Sequence, residues 1–246
     1  MSDDSSVRVK KALITGAAKG IGQAIALHLA SNGFDVAIQY RFSKKSADSV
    51  KQKALSQGVK AIVLQGDLTV PQEARVLVEK AANLLGGLSV VINCVGDYLE
   101  KPTSAIDFDE WQQMLDSNLN TTFYVTQTAI PYLKEAGWGR IINLTCAAAQ
   151  NIVARHLNTA YMVAKTGVVI YTKSLAQELA LFHITANMIA PGIAENSFDL
   201  NEMTHKLPMK RAATLQEINR AVWFLIEPGS DYVTGQTLEI AGGWNL

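Results

Sequence analysis

Short apolar runs alternate with stretches of helical periodicity along nearly the whole chain, and this alternation restricts the fold more than any other feature. Strand signals fall at Lys11–Thr15, Asp35–Tyr40, Lys60–Gln65, Val90–Asn93, Arg140–Thr145, Thr185–Ile189 and Thr237–Ile240. Between them, apolar residues at helical spacing predict helices over Gly20–Asn32, Ser43–Gln57, Pro71–Leu85, Asp109–Ser117, Thr121–Ala136, Thr159–Phe182 and Leu215–Leu225. Asn32-Gly33 and Gly86-Gly87 mark helix ends, where glycine takes a left-handed conformation without a Cβ clash. After Pro191 the pattern weakens into loop or short helices until Leu215. Strands alternating with helices require right-handed crossovers, and these cover both faces of a parallel sheet. The expected fold is therefore α/β, a doubly wound parallel sheet with helices on both faces. It forms a single domain over residues 11–246 behind a polar, frayed tail at 1–10.

Composition narrows the function. Hydrophobic residues make up 48% of the 246 positions and charged residues 18%, which excludes a disordered chain. Lys and Arg total 22 and Asp and Glu total 22, so nothing builds the positive field that a nucleic acid or an anionic membrane needs. The apolar run Ala221–Ile226 is far short of the roughly 20 residues that span a bilayer. Met1–Ser6 carries Asp3 and Asp4 and lacks the basic and apolar regions of a secretion signal. A soluble cytosolic protein is expected. Cys94 and Cys146 form no disulfide framework, and with only His28, His156, His183 and His205 no metal site is expected.

The sharpest local signal is Thr15-Gly16-Ala17-Ala18-Lys19-Gly20-Ile21-Gly22, between the first strand and the first helix. Gly16 lets the chain turn, Gly20 lets backbone approach a phosphate, and Gly22 lets helix and sheet pack closely. The helix N-terminus then offers free N–H groups to a pyrophosphate. About twenty residues further on, a dinucleotide fold places the group that reads the adenosine ribose. Here the second strand ends Gln39-Tyr40-Arg41, with no carboxylate. Arg41 offers a planar fork to a 2′-phosphate and Lys19 adds a second cation, so NADP(H) is expected over NAD(H). Asp67, ahead of Leu68, either accepts from the adenine amino group or caps the helix that begins near Pro71.

Tyr161 and Lys165 stand four residues apart on one predicted helix, and such a pair shares a face. A neighbouring cation favours the ionised phenol, so Tyr161 is expected to titrate closer to working pH and to exchange protons with a carbonyl or alcohol oxygen.

Taken in order, the Thr15–Gly22 turn, Asp67, Asn93-Cys94-Val95-Gly96, Asn118, Tyr161 with Lys165, and Pro191-Gly192 resemble the short-chain dehydrogenase/reductase family over nearly the full length. Tyr232–Thr237 and Gly242-Gly243-Trp244 look like its subgroup of 3-oxoacyl-ACP reductases. The resemblance implies a Rossmann-type sheet and hydride transfer between nicotinamide and a carbonyl carbon. Tyr161 would donate the proton, Lys165 would hold the nicotinamide ribose, and Asn118 would support a water relay. Pro191, Gly192 and Ile193 would line the nicotinamide side. Asn93 would tie neighbouring strands together. Asn118 read without the family is equally a helix cap or kink.

The pattern breaks at the family's serine, which bonds the substrate oxygen just after the fifth strand. Aligning on that strand puts Cys146 there; counting back from Tyr161, across a segment about two residues longer than usual, gives Ala148. A thiol is a weak donor. Losing one oxyanion donor can cost about 2.7–4 kcal/mol. Three outcomes stay open: Thr145 supplies the hydroxyl, a loop residue such as His156 or Asn158 substitutes, or turnover is poor. Cys146 as a redox sensor is disfavoured, because the apolar Ala147–Ala149 neighbourhood raises a thiol pKa. Asn196 stands where a threonine commonly touches the cofactor amide, and Ala241 replaces an acid.

From Ala160 to Phe182 the charged residues are Lys165, Lys173 and Glu178, so that helix is buried on more than one side. With the resemblance, this predicts a homotetramer. The reading is NADPH-dependent reduction of a carbonyl substrate, most like a 3-oxoacyl thioester carried on acyl carrier protein or CoA. The rivals are a nucleotide-binding pseudoenzyme with weak turnover, and a pteridine or other ketone reductase.

Overall fold

A computed structural model describes residues 8–197, 200 and 204–244. Seven parallel strands form one sheet: β1 (Lys11–Ile14), β2 (Asp35–Tyr40), β3 (Ala61–Gln65), β4 (Val90–Asn93), β5 (Gly139–Leu144), β6 (Ile184–Pro191) and β7 (Thr237–Ile240). Their spatial order is β3-β2-β1-β4-β5-β6-β7. Helices are α1 (Gly20–Ser31), α2 (Lys44–Leu55), α3 (Pro71–Leu85), α4 (Phe108–Leu115), α5 (Thr121–Glu135), α6 (Thr159–Leu179) and α7 (Leu215–Ile226). The fold is a doubly wound Rossmann-like domain with helices on both faces, as the alternation demands.

Inner strands are apolar throughout because both faces are covered. Val90, Val91 and Ile92 of β4 are all fully buried, as are Ile141 and Ile142 of β5. One core layer joins Ile14, Ile25, Leu29 and Val36 to Val222 and Leu225; the other joins Leu13, Val78, Val91, Leu133 and Leu179.

Three expectations need correction. Residues 8–10 are tied down: Arg8 pairs with Asp231 at 2.7 Å, and Lys10 O accepts from Asp35 N at 2.8 Å. Residues 1–7 of the expected tail lie outside the described residues. The helices expected over Asp109–Ser117 and Thr121–Ala136 are joined without a break by a π-helical turn at Asp116–Asn120. The last strand before the C-terminal loop runs on through Pro191, because Gly192 N still reaches Ile240 O at 3.1 Å.

Candidate active site

Four of the segments singled out by the sequence leave the carboxyl end of a strand, while Asn118, Tyr161 and Lys165 come from helices. The glycine turn follows β1, Cys94–Gly96 follow β4, Thr145 and Cys146 follow β5, and Gly192 follows β6. The strand order reverses between β1 and β4, and open sheets of this type take their ligands at such a reversal. A cavity of about 1040 Å³ lies instead at the opposite edge, lined by Arg8, Trp138, His183 and Asp231. The glycine turn and Tyr161 belong to the carboxyl edge, so cavity size does not choose the site.

The nucleotide end is made of backbone. Gly16 and Gly20 take left-handed φ values of 61° and 56°. A Cβ on Gly22 would lie 2.6 Å from Gly16 O, so only glycine lets the turn fold onto its own helix. Helices α4 and α7 open with capping boxes built by Asp107/Glu110 and Thr214/Glu217. Helix α1 opens at Lys19 with no side-chain cap, and Asn196 Nδ2 would be 2.8 Å from a Cβ at Gly20. Uncapped N–H groups, an amide donor and the exposed Lys19 suit a pyrophosphate, so these residues fit a dinucleotide. Ala18 is buried beside them, and Ile21 is half-buried.

Gln39 is the residue that sequence reasoning missed. It is buried; its Oε1 accepts from Gly16 N at 2.7 Å and its Nε2 donates to Gly66 O at 2.9 Å. Its signal was a lone amide after the apolar run Val36–Ile38. Thr15 does similar work, its Oγ1 accepting from Cys94 N at 2.9 Å and Val95 N at 3.3 Å.

The adenosine end differs from expectation. Arg41 Nη2 lies 2.7 Å from Asp67 Oδ2, while Asp67 Oδ1 accepts from Thr69 N at 3.0 Å and Thr69 Oγ1 at 2.7 Å. Asp67 therefore closes a local turn and holds Arg41, and α3 begins at Val70 without a side-chain cap. The side chains of Tyr40 and Leu68 are buried, which leaves their backbone groups as the ones that could face a ribose or adenine.

At the reaction end, Asn118 sits in the π-helical turn, a distortion that recurs at functional sites. Its Nδ2 donates to Asp97 O at 3.0 Å and Met114 O at 3.1 Å, and its buried Oδ1 has no protein partner. A Cβ on Gly96 would strike that Oδ1 and stand 3.2 Å from Lys165 Nζ, so Gly96 leaves the space both groups face. Asn93 ties the layers together: its Nδ2 donates to Asn143 Oδ1 at 2.8 Å and Thr126 Oγ1 at 2.9 Å. Asn143 passes the chain on to Thr172 Oγ1 at 2.8 Å.

Lys165 is buried. Its Nζ donates to Leu144 O at 2.9 Å and lies 5.6 Å from the centre of the Tyr161 ring. Burial pulls its pKa down to about 8. Tyr161 moves the opposite way from the expectation: burial holds the phenol well above its usual range, and the adjacent Cys146 sulfur adds to the push. Desolvation outweighs the ammonium one turn away, so Tyr161 is a neutral acid at working pH.

After β5 the chain brings Cys146 beside Tyr161. Cys146 Sγ donates toward Met162 Sδ at 3.7 Å, and its sulfur is near enough to Tyr161 to push the phenol's pKa upward. Ala148 turns away with φ 66°, its N donating to Glu239 Oε1 at 3.1 Å. Thr145 does not supply a hydroxyl here, because its Oγ1 donates to Lys165 O at 3.2 Å. His156 is exposed, its carbonyl accepting from Thr103 N at 2.9 Å. Burial pushes the Cys146 thiol up, as its apolar neighbours predicted. Pro191 and Gly192 flank the cleft with Ile193 buried behind them, and Ala241 Cβ packs 3.1 Å from a Cβ position at Gly192.

The profile of a family described as enoyl-(acyl carrier protein) reductase matches residues 16–245. With the sheet order and cleft above, the chain belongs to the short-chain dehydrogenase/reductase family; it is an oxidoreductase of CH–OH/C=O groups with a nicotinamide cofactor. It is similar to the 3-oxoacyl-(acyl-carrier-protein) reductase FabG of Staphylococcus aureus (strain N315), with 33% identity over 241 residues, 95% of this chain and 97% of that protein. Among solved structures, acetoin dehydrogenase YohF from Salmonella typhimurium superimposes with TM-score 0.88 and 32% identity, covering 96% of this chain and 95% of that one. A blue fluorescent protein from a metagenomic library, solved in complex with NADPH, gives TM-score 0.90 and 31% identity over 96% and 98% of the two chains. Among the described residues no helix is long and apolar enough to cross a membrane, and no group of three or more His, Cys, Asp or Glu could hold a metal ion.

Proposed function

We propose that this chain uses NADPH to reduce the carbonyl of a 3-oxoacyl thioester, with Tyr161 as proton donor. The observation that carries the reading is the half-buried Tyr161 phenol, its ring centre 5.6 Å from Lys165 Nζ at the end of the glycine-turn cleft and its desolvated hydroxyl kept protonated. A neutral phenol suits the reductive direction, in which an oxygen must receive a proton. Reduced nicotinamide, when bound, supplies the hydride to the neighbouring carbon. Lys165 holds the nicotinamide ribose through Nζ, and Asn118 Oδ1 holds a water that returns a proton toward Lys165. Gly16, Ala18, Gly20, Ile21 and Gly22 carry the pyrophosphate with Asn196, while Val95, Gly96, Pro191, Gly192 and Ile193 bound the nicotinamide. Arg41 and Lys19 favour the 2′-phosphate of NADP(H), with Arg41 leaving Asp67 to do so.

The FabG relative, described as a 3-oxoacyl-(acyl-carrier-protein) reductase, supports a 3-oxoacyl thioester on acyl carrier protein, and CoA presents the same thioester; the reading places the protein in the cytosol. Exposed apolar side chains on α5 and α6, Phe123 at 44%, Val163 at 43% and Ile170 at 65%, support packing against further copies in a homotetramer, which sedimentation velocity reads directly. Cys146 favours the second reading, a nucleotide-binding protein with weak turnover.

The test is NADPH oxidation with a short 3-oxoacyl thioester, an enoyl thioester of the same length, a pterin and simple ketones. Turnover is expected with the 3-oxoacyl thioester. It should fall by about 10²–10⁴-fold in Tyr161→Phe, the usual span for losing a general acid. Tight NADPH binding with no turnover on any carbonyl overturns the reading in favour of the second one. Faster enoyl than 3-oxoacyl reduction overturns the substrate.

A further inference from the structure

The thiol of Cys146 is a weak donor and already turns toward Met162 Sδ at 3.7 Å, so on the reductase reading the substrate oxygen lacks a strong second donor from the segment after β5. Another hydroxyl stands close by. Tyr98, on the loop after β4, packs its ring edge-on against Tyr161, with centres 5.1 Å apart and planes at 78°. It is 58% exposed, on the same loop as Gly96, which borders the space that Asn118 Oδ1 and Lys165 Nζ face. Asn158 Nδ2 approaches the Tyr98 hydroxyl to 3.4 Å from the segment just before α6.

The two loops are stitched together, which fixes this pair. Lys101 N donates to Leu157 O at 2.5 Å and Thr103 N to His156 O at 2.9 Å. Thr103 Oγ1 meets Thr159 Oγ1 at 2.6 Å. Tyr98 is therefore carried on a braced segment, beside the proton donor.

The geometry points to the Tyr98 hydroxyl, positioned by Asn158, as a second hydrogen-bond donor to the substrate oxygen in place of the family's serine. The inference rests on the reductase reading above. The Tyr98 hydroxyl meets Glu100 Oε2 and Asn158 Nδ2 at 3.4 Å each, beyond the 2.5–3.0 Å and 2.7–3.2 Å of good O–H···O and N–H···O bonds. Its proton is thus available, and apo contacts of this length commonly tighten when substrate binds. Partial desolvation and the neighbouring Glu100 carboxylate raise the phenol's pKa, so it stays in its neutral, donating form. Tyr98 lends a hydrogen bond and keeps its proton; the transferred proton comes from Tyr161. Asn158 acts through Tyr98 and is a positioning residue.

Four proteins settle it: the wild-type chain, Tyr98→Phe, Cys146→Ser and the double variant, assayed for kcat and KM on the carbonyl that turns over fastest, with NADPH affinity by fluorescence as the check on folding. Tyr98→Phe keeps the ring against Tyr161 and loses only the hydroxyl. It is expected to lower kcat by about 10²-fold, the scale of one lost oxyanion donor, with NADPH affinity unchanged. Cys146→Ser restores a hydroxyl after β5, so the same change in that background is expected to cost less than about threefold, a rescue that a purely structural Tyr98 would not show. A loss below tenfold in Tyr98→Phe overturns the inference, as does an equal loss with serine at 146. Tyr161→Phe in the same assay separates the two failures. If Tyr161→Phe loses about 10²-fold or more and Tyr98→Phe is fully active, only the role of Tyr98 fails; if Tyr161→Phe turns over at the wild-type rate, the reductase mechanism itself fails.

Discussion

The nucleotide end and the substrate end of the cleft are built by different means. At the first, backbone does the binding: Gly16 and Gly20 lie in left-handed turns, Gly22 touches Gly16 O, and the buried Gln39 amide fixes the loop from beneath. At the second, the groups gathered are side chains, Tyr98 from the loop after β4, Cys146 after β5 and Tyr161 on α6, and on the proposals above Tyr161 and Tyr98 would meet the substrate oxygen. A backbone site tolerates changes in most side chains but fails when a Cβ is added. A side-chain site can exchange one donor for another from a different loop and keep its function. That contrast explains how this chain keeps every glycine of the turn and yet loses the serine.

The largest test of the contrast adds one carbon to the backbone end. In Gly22→Ala the new Cβ would lie 2.6 Å from Gly16 O and 3.1 Å from Ala17 Cα, both backbone atoms that cannot swing aside. Opening the turn costs on the order of 1–3 kcal/mol, so NADPH affinity should fall by up to about 10²-fold, read by fluorescence titration. Unaltered affinity would mean that the turn does not carry the pyrophosphate.

The same contrast decides what could be read from sequence. A left-handed turn or a helix packed on its own loop needs glycine, so Gly16, Gly20 and Gly22 announced the nucleotide end. Alternation announced the sheet, because strands buried on both faces leave runs such as Val90–Ile92. The π-helical turn was invisible, since Asp116–Asn120 keeps the composition of a helix and only the i→i+5 register changes. The chain from Asn93 through Asn143 to Thr172 joins residues 50 and 29 positions apart, beyond the reach of local pattern. For Tyr161 and Lys165 the four-residue spacing gave adjacency correctly, yet the sign of the phenol's shift depends on burial, which spacing does not encode. The Tyr98–Asn158 pair, 60 positions apart, was hidden for the same reason as Asn93.

A middle-sized effect is expected at Arg41, where the nucleotide end does rely on a side chain. Arg41 is held by Asp67 at 2.7 Å, and its side chain is 48% exposed. A charge-assisted bond to a 2′-phosphate contributes about 1.5–3 kcal/mol, toward the low end at a half-exposed site where solvent screens it. Arg41→Ala should therefore weaken NADPH by about tenfold relative to NADH, and the freed Asp67 carboxylate adds repulsion against the phosphate. Comparing the two dissociation constants checks it. An unchanged ratio moves the 2′-phosphate away from Arg41 and leaves Lys19 as the remaining cation at that end.

The smallest effect is a pH limb, and it tests the link between the two ends. Lys165 reaches both, since its Nζ faces the space beside Gly96 while its helix carries Tyr161. Burial lowers its pKa to about 8, so the ammonium is lost as pH rises through that value. Where the cation is needed to hold the ribose, kcat/KM should be level below pH 8, halve near pH 8 and then fall tenfold per unit, because this ratio reports the free enzyme. The limb in kcat should lie at higher pH, since the negative charge of a bound dinucleotide favours the protonated amine. Tyr161 gives no competing limb in this range, as its own pKa is displaced upward. A kcat/KM profile flat to pH 9.5 would show that the nucleotide end holds its ligand through backbone alone, with Lys165 serving only the acid beside it.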